Sequence, residues 1–184
     1  VQSFQSTFID IDHDGHLDLH VINDRIYTPN VFYHNNGDGT FLDMSNMWSV
    51  DLGIYAMSSS FGDYDRDGDM DLYVTNGLEG NSLLRNDLDD SGLFVDIAEQ
   101  EGLEVSQMCW GACWFDHNND TWPDLYVATG MTAYTEIPDV FDSYGYQPNQ
   151  FFVNQGSSPM LNSSSDTPAI DQYSFAVATG DYNN

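Results

Sequence analysis

An acidic loop running into a strand-like apolar segment returns through this chain at a nearly fixed step, and that periodicity limits the fold more than any other feature. It reads "DIDHDGHLDLHV" from residue 10, "DYDRDGDMDLYV" from residue 63 and "DHNNDTWPDLYV" from residue 116, and begins again as "DYNN" at residue 181. The first aspartates, Asp10, Asp63, Asp116 and Asp181, are separated by 53, 53 and 65 residues. A second landmark, Asn-x4-Asn, travels with them as Asn30/Asn35, Asn81/Asn86 and Asn149/Asn154. The long third step is an insertion, residues 131–146, and the remaining parts stay in register. Self-similarity at such a period signals a stack of small units, none of which buries a core alone.

Each unit reads as four short strands. The first is "FQSTF", "MSSSF" or "CWGACWF"; the second follows the acidic loop, where Leu17, Leu19 and Val21 match Met70, Leu72 and Val74, then Pro123, Leu125 and Val127. Alternation at period 2 with β-branched and aromatic residues is the strand signature. The third strand is "VFYH", "SLLR" or "QFFV"; "NNGDGT" and "NDLDDSG" supply turns before "FLDM" and "LFVDI". The last strand of the third unit falls in a Ser-rich stretch, and "DIAEQEGL" has length for one helical turn. Four strands per unit predict an all-β chain of β-propeller blades, each of four antiparallel strands. A tandem array of independent β domains is the alternative, but 53 residues bury little core alone. The expected blades span residues 1–53, 54–106 and 107–171, with a fourth starting at 172–184. Three blades do not close a ring, so further sequence or other chains must complete it. A chain that starts "VQSF" reads as an interior segment.

Composition bears on what the loops hold. The chain has 30 Asp plus Glu against 3 Lys plus Arg, a net charge of −27, yet hydrophobic residues make up 41% and aromatic residues 14%. That apolar content builds a core, so the charge belongs to a folded molecule with a counter-ion. A polyanion repels nucleic acid and anionic lipid, and no apolar run is long enough to span a membrane.

A hard cation such as Ca2+ takes six to eight oxygens, and a short loop supplies them from alternate positions. In the first loop the candidates are the Asp10, Asp12, Asp14 and Asp18 side chains at positions 1, 3, 5 and 9, with the His16 backbone carbonyl at position 7. In the second they are Asp63, Asp65, Asp67 and Asp71, with the Asp69 carbonyl. Gly15 and Gly68 at position 6 permit the positive φ of a tight wrap. The third loop offers Asp116, Asn118, Asp120 and Asp124 with the Trp122 carbonyl, but Thr121 replaces the glycine and Asn118 removes a charge, so weaker binding is expected. Asp181 and Asn183 start an incomplete fourth site. The EF-hand is excluded because position 12 is Val21, Val74 or Val127 instead of a bidentate Glu.

"FGDYDRDGDMDLYVTNG" and "NVFYHNNGDGTFLDMS" resemble the FG-GAP/VCBS repeats of integrin-α-type β-propellers, with cartilage acidic protein-like repeats as the nearest flavour. The resemblance implies seven blades, Ca2+ loops between the first and second strands, and an extracellular or cell-surface setting. Family functions include adhesion, matrix assembly, glycan binding and scaffolds attached to enzymes, and the fold alone does not choose among them.

Cys109 and Cys113, as C-x3-C within a strand, lie roughly 13 Å apart, too far for a disulfide, and read as small core-facing thiols. His13 and His117 are read at loop position 4, where Arg66 sits in the second repeat, and an interchangeable position of this kind is expected to face solvent. Trp110, Trp114 and Trp122 read as packing residues, a sugar-stacking platform being the alternative. Asn162-Ser-Ser is a glycosylation sequon only in a eukaryotic secretory protein. Neither G-x-S-x-G nor H-E-x-x-H occurs, and acids that recur in every repeat suit structural ligands better than a catalytic pair, so no enzyme is expected. Two functions remain: a Ca2+-rigidified binding or adhesion module with a protein or glycan at the loop rim, or a structural subunit joining neighbouring chains. Residues 131–146, with Tyr134, Phe141, Tyr144 and Tyr146, are the expected contact element in either case.

Overall fold

The computed structural model describes residues 3–77, 79–130, 148–166, 174 and 176–180. They form three four-stranded antiparallel sheets, each following chain order. Sheet one contains β1 (Ser3–Ile9), β2 (Asp18–Asn23), β3 (Val31–Asn35) and β4 (Phe41–Asp43). Sheet two contains β5 (Ser59–Gly62), β6 (Asp71–Val74), β7 (Ser82–Asp87) and β8 (Leu93–Asp96). Sheet three contains β9 (Cys109–Phe115), β10 (Asp124–Thr129), β11 (Gln150–Val153) and β12 (Leu161–Asn162), the last lying in the Ser-rich stretch. The expected helical turn is α1 (Ala98–Glu101), stopped by Gly102 in the left-handed conformation at φ 72°. The insertion 131–146 and the fourth-loop residues Asp181 and Asn183 lie outside the described residues.

Period-2 alternation explains how the sheets stack. On sheet two, Leu72, Val74 and Leu84 join one core cluster with Ile22, Phe32 and Trp48 of the first repeat. Their neighbours Tyr73 and Leu83 join a second cluster with Leu125, Val127 and Phe152 of sheet three. Sheet two is therefore apolar on both faces, and every residue of β6 is buried. Polar bonds fix the stacking register. The Gln5 side-chain amide pairs with Ser59, donating to its carbonyl at 2.9 Å and accepting from its N–H at 3.0 Å. Ala112 N–H donates to Ser58 Oγ (3.2 Å), and Trp114 Nε1 donates to the Ser60 carbonyl (3.3 Å).

Aromatic side chains at one register position carry the contact between sheets. Phe61 on β5 packs edge-on against Phe32 and His20 of sheet one, and Trp114 on β9 packs edge-on against Tyr73 of sheet two. Trp114 also covers Gly62, where an added Cβ would lie 2.6 Å from the ring. Phe8 holds the same register on β1 and is 60% exposed, because no described sheet lies on that side of it. The tryptophans are thus packing residues: Trp114 lies between sheets two and three, and Trp110 Nε1 bonds the Gly130 carbonyl. Cys109 and Cys113 are both free; burial pushes the Cys109 thiol up to about 12, which keeps it protonated.

The Asn-x4-Asn landmark has two distinct tasks. The first Asn closes the turn after the second strand, accepting the N–H of Asn23, Asn76 or Thr129 at Asn30, Asn81 or Asn149. The second Asn reaches across to the preceding repeat. Asn86 Nδ2 donates to the Ile11 carbonyl (3.3 Å), and Asn154 Nδ2 donates to the Tyr64 carbonyl (2.7 Å). Both carbonyls sit at position 2 of the preceding acidic loop, so each landmark ties its own third strand to its neighbour's loop.

One position breaks the pattern. Tyr73 and Tyr126 offer their hydroxyls to Asn81 and Asn149 Nδ2 at 2.8 and 2.9 Å. In sheet one His20 stands at that register; both its ring nitrogens and Asn30 Nδ2 are buried without partners. Burial holds the His20 imidazole down at about 4. An unfolded imidazole takes up a proton near 6.5, so stability conferred by this neutral ring falls as pH drops from about 6.5 to about 4, by roughly 3 kcal/mol in all. His20→Tyr should regain the missing hydrogen bond, worth about 1 kcal/mol at pH 7, and remove the acid-side slope. Thermal melts at pH 7 and pH 5 check this; a lower melting temperature at pH 7 would show that the space beside Asn30 does not admit the larger ring.

Candidate metal centres

The three acidic loops join the first strand of each repeat to the second, and they share one backbone frame. Positions 4 and 6 have positive φ in each: His13 at 57° and Gly15 at 88°, Arg66 at 63° and Gly68 at 104°, Asn119 at 59° and Thr121 at 74°. Thr121 adopts the left-handed conformation despite its β-branch, so the third loop keeps the wrap that its sequence seemed to resist. The position 5 carboxylate accepts the position 7 N–H in all three loops, Asp14 from His16 (2.8 Å), Asp67 from Asp69 (2.9 Å) and Asp120 from Trp122 (2.9 Å).

Position 9 is the fixed point. Asp18, Asp71 and Asp124 are fully buried. One oxygen of each accepts the position 2 N–H, from Ile11 (3.2 Å), Tyr64 (3.1 Å) or His117 (2.9 Å). The other accepts the N–H of the landmark Asn on the third strand, Asn35, Asn86 or Asn154, at 2.8–2.9 Å. This aspartate therefore clamps the loop to the sheet as well as facing the other acids. Burial pushes Asp71 up to about 8, with the charges of Asp65 and Asp67 adding and the two N–H donors opposing. Asp18 and Asp65 are raised too, chiefly by burial.

The first two loops converge as a cation site requires. Oxygens of Asp10, Asp12 and Asp18 lie within 4.8 Å of one another, as do those of Asp63, Asp65 and Asp71. Asp10 Oδ1, Asp63 Oδ1 and Asp65 Oδ1 are buried with no hydrogen-bond partner. Orphaned carboxylate oxygens are costly, and a hard divalent cation satisfies them, so the donor set fits Ca2+. Asp14 and Asp67 at position 5 are exposed, and their bonds to position 7 orient the backbone carrying the His16 and Asp69 carbonyls.

The third loop differs in charge and exposure. Asp116, Asn118 and Asp120 are exposed, and Asn118 Nδ2 donates to Asp120 Oδ2 (2.8 Å), doing locally what a cation would do. His117 occupies position 2, aligned with Ile11 and Tyr64, not position 4; its Nδ1 lies 2.5 Å from Asp124 Oδ2. Its ring also packs edge-on against Phe151, so the expectation of a purely solvent-facing residue is corrected. A histidine beside the third loop's buried acid is a partner that position counting missed. The position 4 residues His13 and Arg66 are exposed, yet each reaches the next loop: His13 Nδ1 lies 3.6 Å from Asp69 Oδ1, and the Arg66 guanidinium lies 5.1 Å from the Trp122 ring centre. Trp122 in turn lies over Gly156, leaving 2.7 Å for an added Cβ. Neighbouring loops are thus linked side by side along one edge.

Residues 10–74, from the first loop through the second loop and β6, match the FG-GAP-like repeat family model. This stretch is thus similar to an FG-GAP-like repeat, and the third repeat continues its pattern in four strands and an acidic loop. No curated protein was found to match the chain.

The raised Asp71 carboxyl sets a sign. Without a cation the folded state holds a proton there that the unfolded state releases near 3.8, so the metal-free fold loses stability as pH rises from about 4 to about 8. A cation must displace that proton, so it restores more stability at the upper end. The difference in melting temperature between Ca2+ and chelator should be larger at pH 8 than at pH 5; an equal difference would mean that Asp71 takes no part.

Proposed function

We propose that this chain is part of a Ca2+-binding β-propeller of the FG-GAP type, acting outside the cell as a non-catalytic binding or adhesion module. The observation that carries this reading is the convergence of three carboxylates around orphaned buried oxygens, in register, in two successive loops. Asp10, Asp12, Asp14, Asp18 and the His16 carbonyl hold one ion; Asp63, Asp65, Asp67, Asp71 and the Asp69 carbonyl hold a second. Asp116, Asn118, Asp120, Asp124 and the Trp122 carbonyl hold a third more weakly, and Asp181 with Asn183 begins a fourth.

Propeller closure is supported by the exposed face of sheet one. Phe8 stands where Phe61 and Trp114 are each packed on a preceding sheet, and Asn35 Nδ2 bonds its own Leu17 carbonyl (3.0 Å), whereas Asn86 bonds both its own Met70 carbonyl and the preceding loop's Ile11 carbonyl. That face fits another sheet of the same kind, and seven sheets is the number the resemblance implies. Among the described residues no helix is long and apolar enough to cross a membrane, and the negative charge disfavours nucleic acid. The loop-to-loop contacts support a reading in which ions held by the loops lie along one rim, where a protein or glycan ligand would meet rigid backbone. The second reading, a structural subunit of an extracellular assembly, uses the same rim to join neighbouring chains, and a scaffold attached to an enzyme would use it likewise.

Calorimetric titration with Ca2+ tests the proposal. The chain should bind two ions tightly and a third more weakly, with Mg2+ a poor substitute, and Asp65→Asn should remove one tight site while leaving the other. Absence of Ca2+ heat, or an unchanged stoichiometry in Asp65→Asn, would defeat it. Deleting residues 131–146 then separates the two readings, since loss of a soluble ligand marks a binding module and loss of assembly marks a structural one.

A further inference from the structure

His34 on β3 brings a ring nitrogen against two acids of the first loop, whereas the third loop's His117 meets the single buried acid Asp124. Its Nε2 lies 2.9 Å from Asp12 Oδ2 and 3.6 Å from Asp14 Oδ2. Oxygens of Asp12 and Asp14 and a ring nitrogen of His34 all lie within 4.8 Å of one another. The imidazole stands edge-on to Trp48 at 5.7 Å between centres, and β3 itself is pinned to the loop by the Asn35 N–H bond to Asp18. At the same register the second repeat has Arg85, which turns away to grip Asp87 with two bonds of 2.7 and 2.9 Å. The third repeat has Val153 there.

Ligand chemistry makes this difference matter. Calcium selects oxygen, whereas imidazole suits first-row ions such as Zn2+. Zinc bonds of about 2.0–2.1 Å place tetrahedral ligands roughly 3.3–3.4 Å apart, and the two contacts from His34 bracket that spacing. We propose that the first loop is a mixed nitrogen–oxygen site for a first-row divalent ion of the Zn2+ class, held by His34 Nε2, Asp12 and Asp14. The second loop remains an all-oxygen site, and in the third the His117 nitrogen is already held against Asp124. The inference rests on the first loop being a cation site, and it gives that Ca2+ loop a competing ion that its neighbours do not take. Asp12 and Asp14 serve both ions, so Zn2+ and Ca2+ compete at this loop alone.

The test is a Zn2+ titration of the metal-stripped chain by calorimetry, repeated on His34→Gln and His34→Ala. Glutamine keeps a polar group beside Asp12 but offers no imidazole, so it separates ligation from mere ordering of the loop. One Zn2+ should bind, weakened at least tenfold in both variants, while each variant retains Ca2+ at the second loop as a sign of correct folding. The His34 ring resonances should shift when Zn2+ is added. Equal Zn2+ affinity in His34→Gln, or no Zn2+ binding by the parent chain, overturns the proposal. Ca2+ titrations of the same samples keep the two claims apart: Zn2+ binding that needs His34 without any Ca2+ binding would sink the proposed function and leave this inference standing. Ca2+ binding with indifference to Zn2+ would do the reverse.

Discussion

The rest of the structure depends on a buried aspartate that accepts backbone N–H groups with both of its oxygens. Asp18, Asp71 and Asp124 each join the start of an acidic loop to the third strand of the same sheet. Two N–H donors favour the ionised carboxylate, while burial and the neighbouring acids oppose it. In Asp71 the opposing effects win, and its carboxyl stands at about 8. Three arginines in the whole chain cannot balance thirty acids. Arg85 is engaged with Asp87, and Arg25 with Asp24. In the proposed reading a divalent cation would supply the charge that these side chains do not, at the place where the carboxylates already meet.

Stacking and the loops are one system. Each landmark Asn that donates its backbone N–H to the buried aspartate of its own repeat also sends its side-chain amide to position 2 of the preceding loop. Position 4 of one loop then meets position 7 of the next, by a histidine–carboxylate contact in one case and a cation–π contact in the other. A change of charge or shape in one loop is therefore felt by its neighbour through backbone, not only through solvent. The residues filling these positions vary, while the backbone frame is kept; Thr121 at φ 74° shows how strongly the frame is imposed.

Much of this was legible in the residues. Eleven of the twelve strands among the described residues follow from period-2 alternation and the repeat register, β12 being placed only within its Ser-rich stretch, and the loop acids follow from spacing, because both signals are local. Less legible were contacts that depend on how repeats stack. The Asn-x4-Asn landmark is visible in the chain, but its bridging role needs Ile11 and Tyr64 to be adjacent in space, 75 and 90 residues away. His34 lies 22 residues from Asp12 and carries no local motif, so its approach to the loop emerges only when β3 pairs with β2. Counting from Asp116 puts His117 at position 2 and Asn119 at position 4, and the contact of His117 with Asp124 appears only when the loop closes on its own position 9. His20 could have been noticed as the odd member of the Tyr73/Tyr126 series, but its orphaned nitrogens appear only once the core is closed.

The central claim is that metal ions, not protonation, hold the loop carboxylates together, and a crystal structure grown with Ca2+ tests it most directly. Anomalous difference density should mark an ion in the second loop, ringed at about 2.3–2.6 Å by Asp63, Asp65, Asp67, Asp71 and the Asp69 carbonyl, with a matching ion in the first. Loops that keep the same backbone but show no anomalous density at saturating Ca2+ would contradict the account, and the clustered aspartates would then be acidic turns stabilised by their own hydrogen bonds.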